Sequence, residues 1–137
     1  MMPKYAECNV GDALPAMTTQ PISRHTLALY CGASGDHNPI HVDIDYAKSA
    51  GLEDVIAHGM LSMGYVARML TQWVPQQQIR SYKARFTAMT HIGDTVTCTG
   101  RIAEKWEESG EQRVRVELFA ETPQTQTIIA EAVVALD

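Results

Sequence analysis

Hydrophobic and polar positions follow two different periods along this chain, and the change falls at Pro75. Upstream of Pro75, apolar residues recur every three or four positions, which is typical of a helix packed on a core. Downstream, apolar and polar residues alternate, which is typical of half-buried strands. The sequence therefore predicts a first half of helices and loops and a second half rich in strands, without an internal repeat or a linker.

The longest helical pattern runs from Gly59 to Trp73, and Pro75 ends it because proline cannot continue a helix. The apolar positions of this stretch at helical spacing are Met60, Met63, Val66, Ala67, Leu70 and Trp73. Because further apolar residues widen this set, we expect a helix that is buried on most sides.

Two shorter helices are predicted before Gly59, each on the basis of the residues that begin and end it. Ser23 is a candidate N-cap for a helix that ends at Gly32. Asp43 is a candidate N-cap for a second helix, with Gly51 as its left-handed stop.

Four strands are predicted after Pro75, over residues 79–89, 95–106, 113–122 and 127–136. Turn signals separate them at Gly93-Asp94, Ser109-Gly110 and Pro123. Short connections predict an antiparallel meander, and the long helix is the one apolar element available to cover it. The predicted fold class is α+β: a single domain over residues 1–137, with a curled antiparallel β-sheet wrapped around a long central α-helix, the architecture called a hot-dog fold.

Composition narrows the function classes. With 137 residues, 45% hydrophobic and 20% charged, the chain is typical of a soluble globular domain. The net charge of −5 argues against nucleic acid as a partner, and no apolar run is long enough for a membrane span. Three scattered cysteines lack metal-ligand spacing. No apolar signal core follows the N-terminus, so a cytoplasmic location is expected.

The stretch from Tyr30 to Ala47 carries the clearest chemistry. It sets Asp36 and His41 five residues apart, on either side of an Asn38-Pro39 pair that cannot continue a helix. A carboxylate and an imidazole are the side-chain types best suited to moving protons near neutral pH. This segment is therefore a candidate active site.

Three motifs in the right order resemble those of the MaoC-like (R)-specific enoyl-thioester hydratases and dehydratases. They are Tyr30 with Ser34-Gly35-Asp36, Asn38-Pro39-Ile40-His41 and Ala47; then Ala57-His58-Gly59-Met60; and then Arg85-Phe86 running to Gly93-Asp94. Two positions depart from the family pattern, Ala33 in place of a larger aliphatic residue and Met89 in place of a common proline. Neither belongs to the acid–base pair, so they bear on the shape of the acyl pocket.

The resemblance implies a lyase that interconverts trans-2-enoyl and (R)-3-hydroxyacyl thioesters by adding or removing water. Asp36 and His41 would hold and deprotonate the water, Asn38 would orient the loop or the water, and the Gly59 N–H would bind the thioester oxygen. The implied substrate-binding residues are Ser34, His58, Met60 and Arg85. No metal or redox cofactor is implied, and coenzyme A or the phosphopantetheine of an acyl carrier protein enters as part of the substrate. The implied assembly is a homodimer or a hot-dog heteromer.

Each assignment has an alternative. Asp36 alone could cap a turn, His41 alone could be a packed histidine, and Asn38-Pro39 could be only a turn. His58 could be a proton carrier or a hydrogen-bonding residue at the helix start.

The basic cluster Arg80, Lys83 and Arg85 could be a solvated strand face, or it could meet coenzyme A phosphates or an acidic carrier protein. The whole chain could also be a hot-dog thioesterase or a non-catalytic acyl-thioester-binding subunit. The absence of Asp and Glu from residues 59–73 disfavours the thioesterase.

Overall fold

The computed structural model describes all 137 residues, which form three α-helices and one five-stranded antiparallel sheet. The helices are α1 (Arg24–Ser34), α2 (Ile44–Ser49) and α3 (Gly59–Trp73). The strands are β1 (Met17–Thr18), β2 (Ile79–Phe86), β3 (Thr97–Glu108), β4 (Glu111–Glu121) and β5 (Gln126–Leu136). None of the helices has both the length and the apolar character that crossing a membrane requires.

The helix ends follow the predicted capping residues. The Ser23 hydroxyl accepts a hydrogen bond from the N–H of Thr26 at 3.1 Å, and the Asp43 carboxylate accepts one from the N–H of Tyr46 at 3.1 Å. These bonds satisfy backbone donors that the first helical turn leaves free. Helix α1 runs two residues past the predicted end at Gly32, because the left-handed C-cap is Gly35, with φ 76°.

The strand order is β1-β3-β4-β5-β2. The predicted meander is correct for β3, β4 and β5 but wrong for β2, which pairs with β5 and not with β3. Residues 87–96 cross over instead of forming a hairpin, because their backbone bonds lead elsewhere. The N–H of Ala57 bonds to the carbonyl of Thr90, and that of Gly93 bonds to the carbonyl of Ile22. The crossover therefore brings residues 88–91 beside the start of α3.

The core lies between α3 and the inner face of the sheet. Alternate residues of β4 face inward and are fully buried: Val114, Val116, Leu118 and Ala120. They belong to one cluster with Val66, Met69 and Leu70 of α3. The expected burial of α3 on most sides is wrong, because Met60 is 54% exposed and Gly64 and Arg68 are also exposed. The sheet of one chain covers only one side of this helix.

The outer face of the sheet carries ion pairs. Arg115 pairs with Glu104 and Glu131, Arg101 pairs with Glu117, and Lys83 also pairs with Glu131. Such exposed pairs contribute little stability each. They do decide which basic side chains stay free to meet a ligand.

Candidate active site

Residues 34–41, called the Asp36 turn below, are held by short-range hydrogen bonds. The Ser34 hydroxyl accepts from the N–H of Asp36 at 3.1 Å, and the Asp36 carboxylate accepts from the N–H of Asn38 at 3.2 Å. The Asn38 side chain in turn accepts from the N–H of Ile40 at 3.1 Å. Ser34 and Asn38 thus shape the turn, and neither lines the neighbouring cavity.

His41 presents one free ring nitrogen to Asp36. Its Nδ1 lies 2.8 Å from the carbonyl oxygen of Ile56, and a carbonyl can only accept, so Nδ1 carries the proton. Nε2 therefore has a free lone pair, and it lies 3.9 Å from an Asp36 carboxylate oxygen. This separation is too long for a direct hydrogen bond but allows one water molecule to contact both groups. The His41 side chain is 11% exposed and that of Asp36 is 48% exposed.

His58 connects the start of α3 with the Asp36 turn. Its ring stacks on His41 with centroids 3.8 Å apart, and Tyr30 meets it edge-on at 4.8 Å. Its Nε2 lies 3.2 Å from the backbone carbonyl of Asp36 and must donate, so Nδ1 is left as a buried acceptor without a partner. Burial lowers the pKa of His58, and the nearby His41 lowers it further. His58 is therefore a neutral side chain that holds the turn in place.

Asp36, His41 and His58 also bring ligand atoms within 4.8 Å of one another, a set that could in principle hold a metal ion. The two imidazole rings are stacked with an interplanar angle of 24°. Lone pairs lying in nearly parallel ring planes cannot both point at a metal at a bond length of about 2.0–2.1 Å. The arrangement suits proton transfer better than metal binding.

Gly59 opens helix α3, and its N–H makes no hydrogen bond within the chain. A helix N-terminus favours negative charge because the peptide dipoles are aligned. A Cβ at Gly59 would lie 3.2 Å from the ring of Phe86, so a larger residue would crowd this position. The missing side chain leaves the backbone N–H open to an incoming oxygen atom.

A cavity of about 600 Å³ lies beside these groups. Its lining includes His41, His58 and Gly59 together with the residues that we call the cavity wall: Ser62, Phe86, Met89, Thr90 and Ile128. The sequence motifs do not identify Ser62 or Thr90 as site residues. Alternation along β2 could have placed Phe86 on the helix side, and Ser62 follows Gly59 by one helical turn. No sequence signal places Thr90 or His91 there, because only the crossover brings them in.

Three of the four predicted substrate-binding residues lie outside this cavity: Ser34, which shapes the Asp36 turn, Met60 and Arg85. Met60 is mostly exposed on the open side of α3. Arg85 lines a shallow depression on the outer face of the sheet, with Lys83 and Arg115, because it alternates with Phe86 along β2. The structure therefore brings together Asp36, His41, His58 and Gly59, and it places Met60 and Arg85 elsewhere.

Known proteins resemble this chain in sequence and structure. The family model described as "MaoC like domain" matches residues 7–124. The (R)-specific enoyl-CoA hydratase of Rhodospirillum rubrum is 35% identical over 103 residues, covering 71% of this chain and 72% of that protein. The mitochondrial 3-hydroxyacyl-[acyl-carrier-protein] dehydratase of Arabidopsis thaliana is 32% identical over 87 residues, covering 64% of this chain and 51% of that protein. The unliganded R-hydratase PhaJ1 from Pseudomonas aeruginosa superposes with a TM-score of 0.85 at 29% identity, covering 98% of this chain and 86% of that chain.

Proposed function

The chain belongs to the MaoC-like family, and we propose that it interconverts trans-2-enoyl thioesters and (R)-3-hydroxyacyl thioesters. The observation that carries this proposal is the pairing of the free His41 Nε2 with the Asp36 carboxylate, 3.9 Å apart, beside a cavity that also contains the free Gly59 N–H. Similarity to an (R)-specific enoyl-CoA hydratase supports the same reaction and its stereochemistry.

In the hydration direction, one water molecule lies between Asp36 and His41. His41 Nε2 takes a proton from the water while the water oxygen bonds to C3 of the substrate. The electron pair of the C2–C3 double bond moves toward the thioester, and the oxygen that gains negative charge accepts a hydrogen bond from the Gly59 N–H. The proton held on Nε2 then passes to C2. The reverse sequence removes water, so the same groups serve a dehydratase.

The acyl carrier is coenzyme A or the phosphopantetheine of a carrier protein. Of the three basic residues on β2, Arg80 is held by Glu111 at 2.7 Å and Lys83 by Glu131 at 2.8 Å. Arg85 makes neither an ion pair nor a side-chain hydrogen bond within the chain. Arg85 is therefore the residue of this cluster that we propose to meet a phosphate of the carrier.

No metal or redox cofactor takes part in this scheme, because Asp36 holds the water and His41 makes both proton transfers. We expect dialysis against EDTA to leave the activity unchanged. A loss of activity that added Zn²⁺ or Mg²⁺ restores would contradict this part of the proposal.

We propose a homodimer joined at the edge of β2. This eight-residue strand bonds only to β5, which leaves its other edge unpaired, and the apolar Phe86 and Met89 at its end are 49% and 50% exposed. Open strand edges and exposed apolar residues are features that association covers.

We propose a reducing, cytoplasmic setting, which is consistent with three free cysteines, of which Cys8 and Cys98 are buried.

A series of trans-2-enoyl thioesters of increasing chain length, on coenzyme A and on acyl carrier protein, tests the proposal directly. Hydration removes the absorbance of the conjugated thioester, and analysis of the product on a chiral column identifies the enantiomer. Absence of turnover with every chain length on both carriers would contradict the proposed function. Release of free thiol in the same assay would favour a thioesterase instead.

A further inference from the structure

Ser62 is a buried hydroxyl without a hydrogen-bond partner in the chain. It is 3% exposed, it lies in the first turn of α3, and its hydroxyl makes no hydrogen bond with any side chain or backbone group. Serine in a helix commonly bonds back to the carbonyl four residues earlier, but this bond to His58 is not formed. The donor and acceptor positions of the Ser62 hydroxyl are therefore free for a water molecule or for a bound group that reaches it.

The Ser62 hydroxyl opens into the cavity. The Nδ1 atom of His58 is the one side-chain polar atom of the chain that is both sealed from open space and without a partner. The Ser62 oxygen also lacks a partner, but because it is not such a sealed atom, part of its surface is accessible. Ser62 lines the same cavity as His41 and Gly59. The bound group that reaches this oxygen must occupy the cavity beside the Asp36–His41 pair.

The helix geometry directs Ser62 toward the free N–H of Gly59. Residues three apart lie on the same face of a helix, about 5–6 Å apart at Cβ, and side chains tilt toward the helix N-terminus. Gly59 has no side chain to fill the space between, and the ring of Phe86 closes the other side at 3.2 Å from the position of the missing Cβ. Ser62, Gly59 and Phe86 thus border one slot at the start of α3.

We propose that the Ser62 hydroxyl is a second hydrogen-bond donor to the thioester oxygen, acting together with the Gly59 N–H. This assignment rests on the proposed function, since it places the thioester in the slot. It makes Ser62 a catalytic residue, because two donors stabilise the charge that develops on this oxygen in the transition state better than one.

A binding comparison tests the contact without relying on turnover. Butyryl-CoA carries the thioester oxygen, whereas S-butyl-CoA, the thioether, lacks only that oxygen. Isothermal titration calorimetry gives the ratio of the two affinities for the wild type and for Ser62→Ala. We expect the wild type to prefer the thioester and the variant to lose about 3- to 10-fold of that preference, which is the usual worth of one hydrogen bond.

Three results of this comparison would overturn the proposal. They are an unchanged ratio in Ser62→Ala, the absence of any preference in the wild type, and the failure of either ligand to bind. The matched control is Thr71→Val, which removes the hydroxyl of an exposed residue that lies on the same helix but outside the cavity. We expect this control to keep the ratio, and an equal loss in Thr71→Val would contradict a specific contact at Ser62.

Kinetics supply the second readout. Ser62→Ala should lower kcat about 10²-fold with little change in KM, since the hydrogen bond strengthens in the transition state. Ser62→Thr, which keeps a hydroxyl, should restore most of the loss. A fall in KM alone, or the same loss in both variants, would contradict the role of Ser62. Inactivity of the wild type toward every enoyl thioester would contradict the proposed function, while the affinity ratio would still decide whether Ser62 contacts the thioester oxygen.

Ser62→Ala should also fold as well as the wild type. Alanine is a better helix former than serine, and the substitution removes no hydrogen bond that the chain makes. We expect a melting temperature equal to or above that of the wild type, so that the loss of kcat cannot be attributed to unfolding.

Discussion

The Asp36 turn and the cavity wall form one site but are built in different ways. The turn is held by hydrogen bonds between residues two or three apart, such as those from the Asp36 N–H to the Ser34 hydroxyl and from the Asn38 N–H to the Asp36 carboxylate. The wall joins residues far apart in the chain, with Ser62 on α3, Phe86 on β2 and Ile128 on β5. A local segment thus provides the proposed acid–base pair, whereas tertiary structure provides the cavity beside it.

This difference predicts that substitutions in the turn and in the wall will change different properties of the protein. Replacing a residue of the turn should change the chemistry, because the two groups that we propose to react with the water lie there. Replacing a residue of the wall should change binding, assembly or the stabilisation of charge, because these depend on how distant elements meet. The four predictions below test this division, from the largest expected effect to the smallest.

Removal of the acid–base pair should have the largest effect. Asp36→Asn keeps an oxygen that can accept from the N–H of Asn38, so the turn should keep its shape while the carboxylate is lost. We expect kcat/KM to fall about 10²- to 10⁴-fold, and a fall of similar size in His41→Ala, because the first variant loses the carboxylate that holds the water and the second loses the nitrogen that takes its proton. The measurement is the rate of crotonyl-CoA hydration, together with a melting curve.

Asp43→Asn is the matched control for this loss. Asp43 is a nearby aspartate that caps α2, and asparagine is an equally good N-cap, so both activity and stability should be retained. Full activity in the Asp36→Asn, His41→Ala double variant would show that the turn is not the reactive centre.

The same division explains how much could be predicted from the sequence. The bounds of α3, the caps at Ser23 and Asp43 and the Asp36–His41 pair were predicted, because each depends on residues close together in the chain. The place of β2 was predicted wrongly, since alternation shows which face of a strand is buried but not which strand lies beside it. Strand β1 has two residues and therefore no readable period. Ser62 and Thr90 could not be recognised as site residues before the crossover and α3 were placed together.

The next largest effect is expected on dimer formation, after replacement of Met89, a residue of the cavity wall. Met89→Glu puts a charge on an apolar side chain that is 50% exposed beside the open edge of β2. If the dimer covers this side chain, its dissociation constant should rise about tenfold or more, because a buried unpaired charge is costly. Light scattering over a range of concentrations should give twice the chain mass of 15.1 kDa for the wild type and less for the variant.

Val10→Glu is the matched control, since Val10 is 61% exposed but lies near the N-terminus, outside β2 and the cavity. It should leave the mass unchanged. A wild type that is monomeric by itself would point to a heteromer or to a monomer, and the proposed homodimer would be wrong.

Arg85 lies on the outer face of the sheet, so its replacement should affect carrier binding alone. We expect Arg85→Ala to raise KM for enoyl-CoA about 3- to 10-fold with kcat unchanged, because an exposed contact between a guanidinium and a phosphate is worth about 1 kcal/mol. Added salt should reduce this difference. Arg80→Ala should leave KM unchanged, since Arg80 is already held by Glu111. An equal rise in both variants would indicate a general effect of charge and not a phosphate contact at Arg85.

Replacement of His58 should give the smallest effect, a change in how stability depends on pH. His58 joins the two regions, because it extends from the start of α3 to the Asp36 carbonyl. Its pKa is lowered in the folded protein, so the unfolded chain binds a proton at a higher pH than the folded one. Its contribution to stability is therefore complete above about pH 6.5 and is lost as the pH falls below that value, by at most about 1.4 kcal/mol per pH unit.

His58→Gln keeps an N–H that can donate to the Asp36 carbonyl but does not titrate. Between pH 7.5 and pH 5.5 the melting temperature of the wild type should therefore fall a few degrees further than that of the variant. Carboxylates titrate mainly below this range, and the other histidines are common to both proteins, so the difference isolates His58. Parallel curves would mean that His58 is protonated in the folded state, and the neutral bridge between the wall and the turn would then be wrong. A steeper fall in the wild type, with most of the activity kept in His58→Gln, would mean that the hydrogen bond to Asp36, and not a proton on His58, couples the two regions.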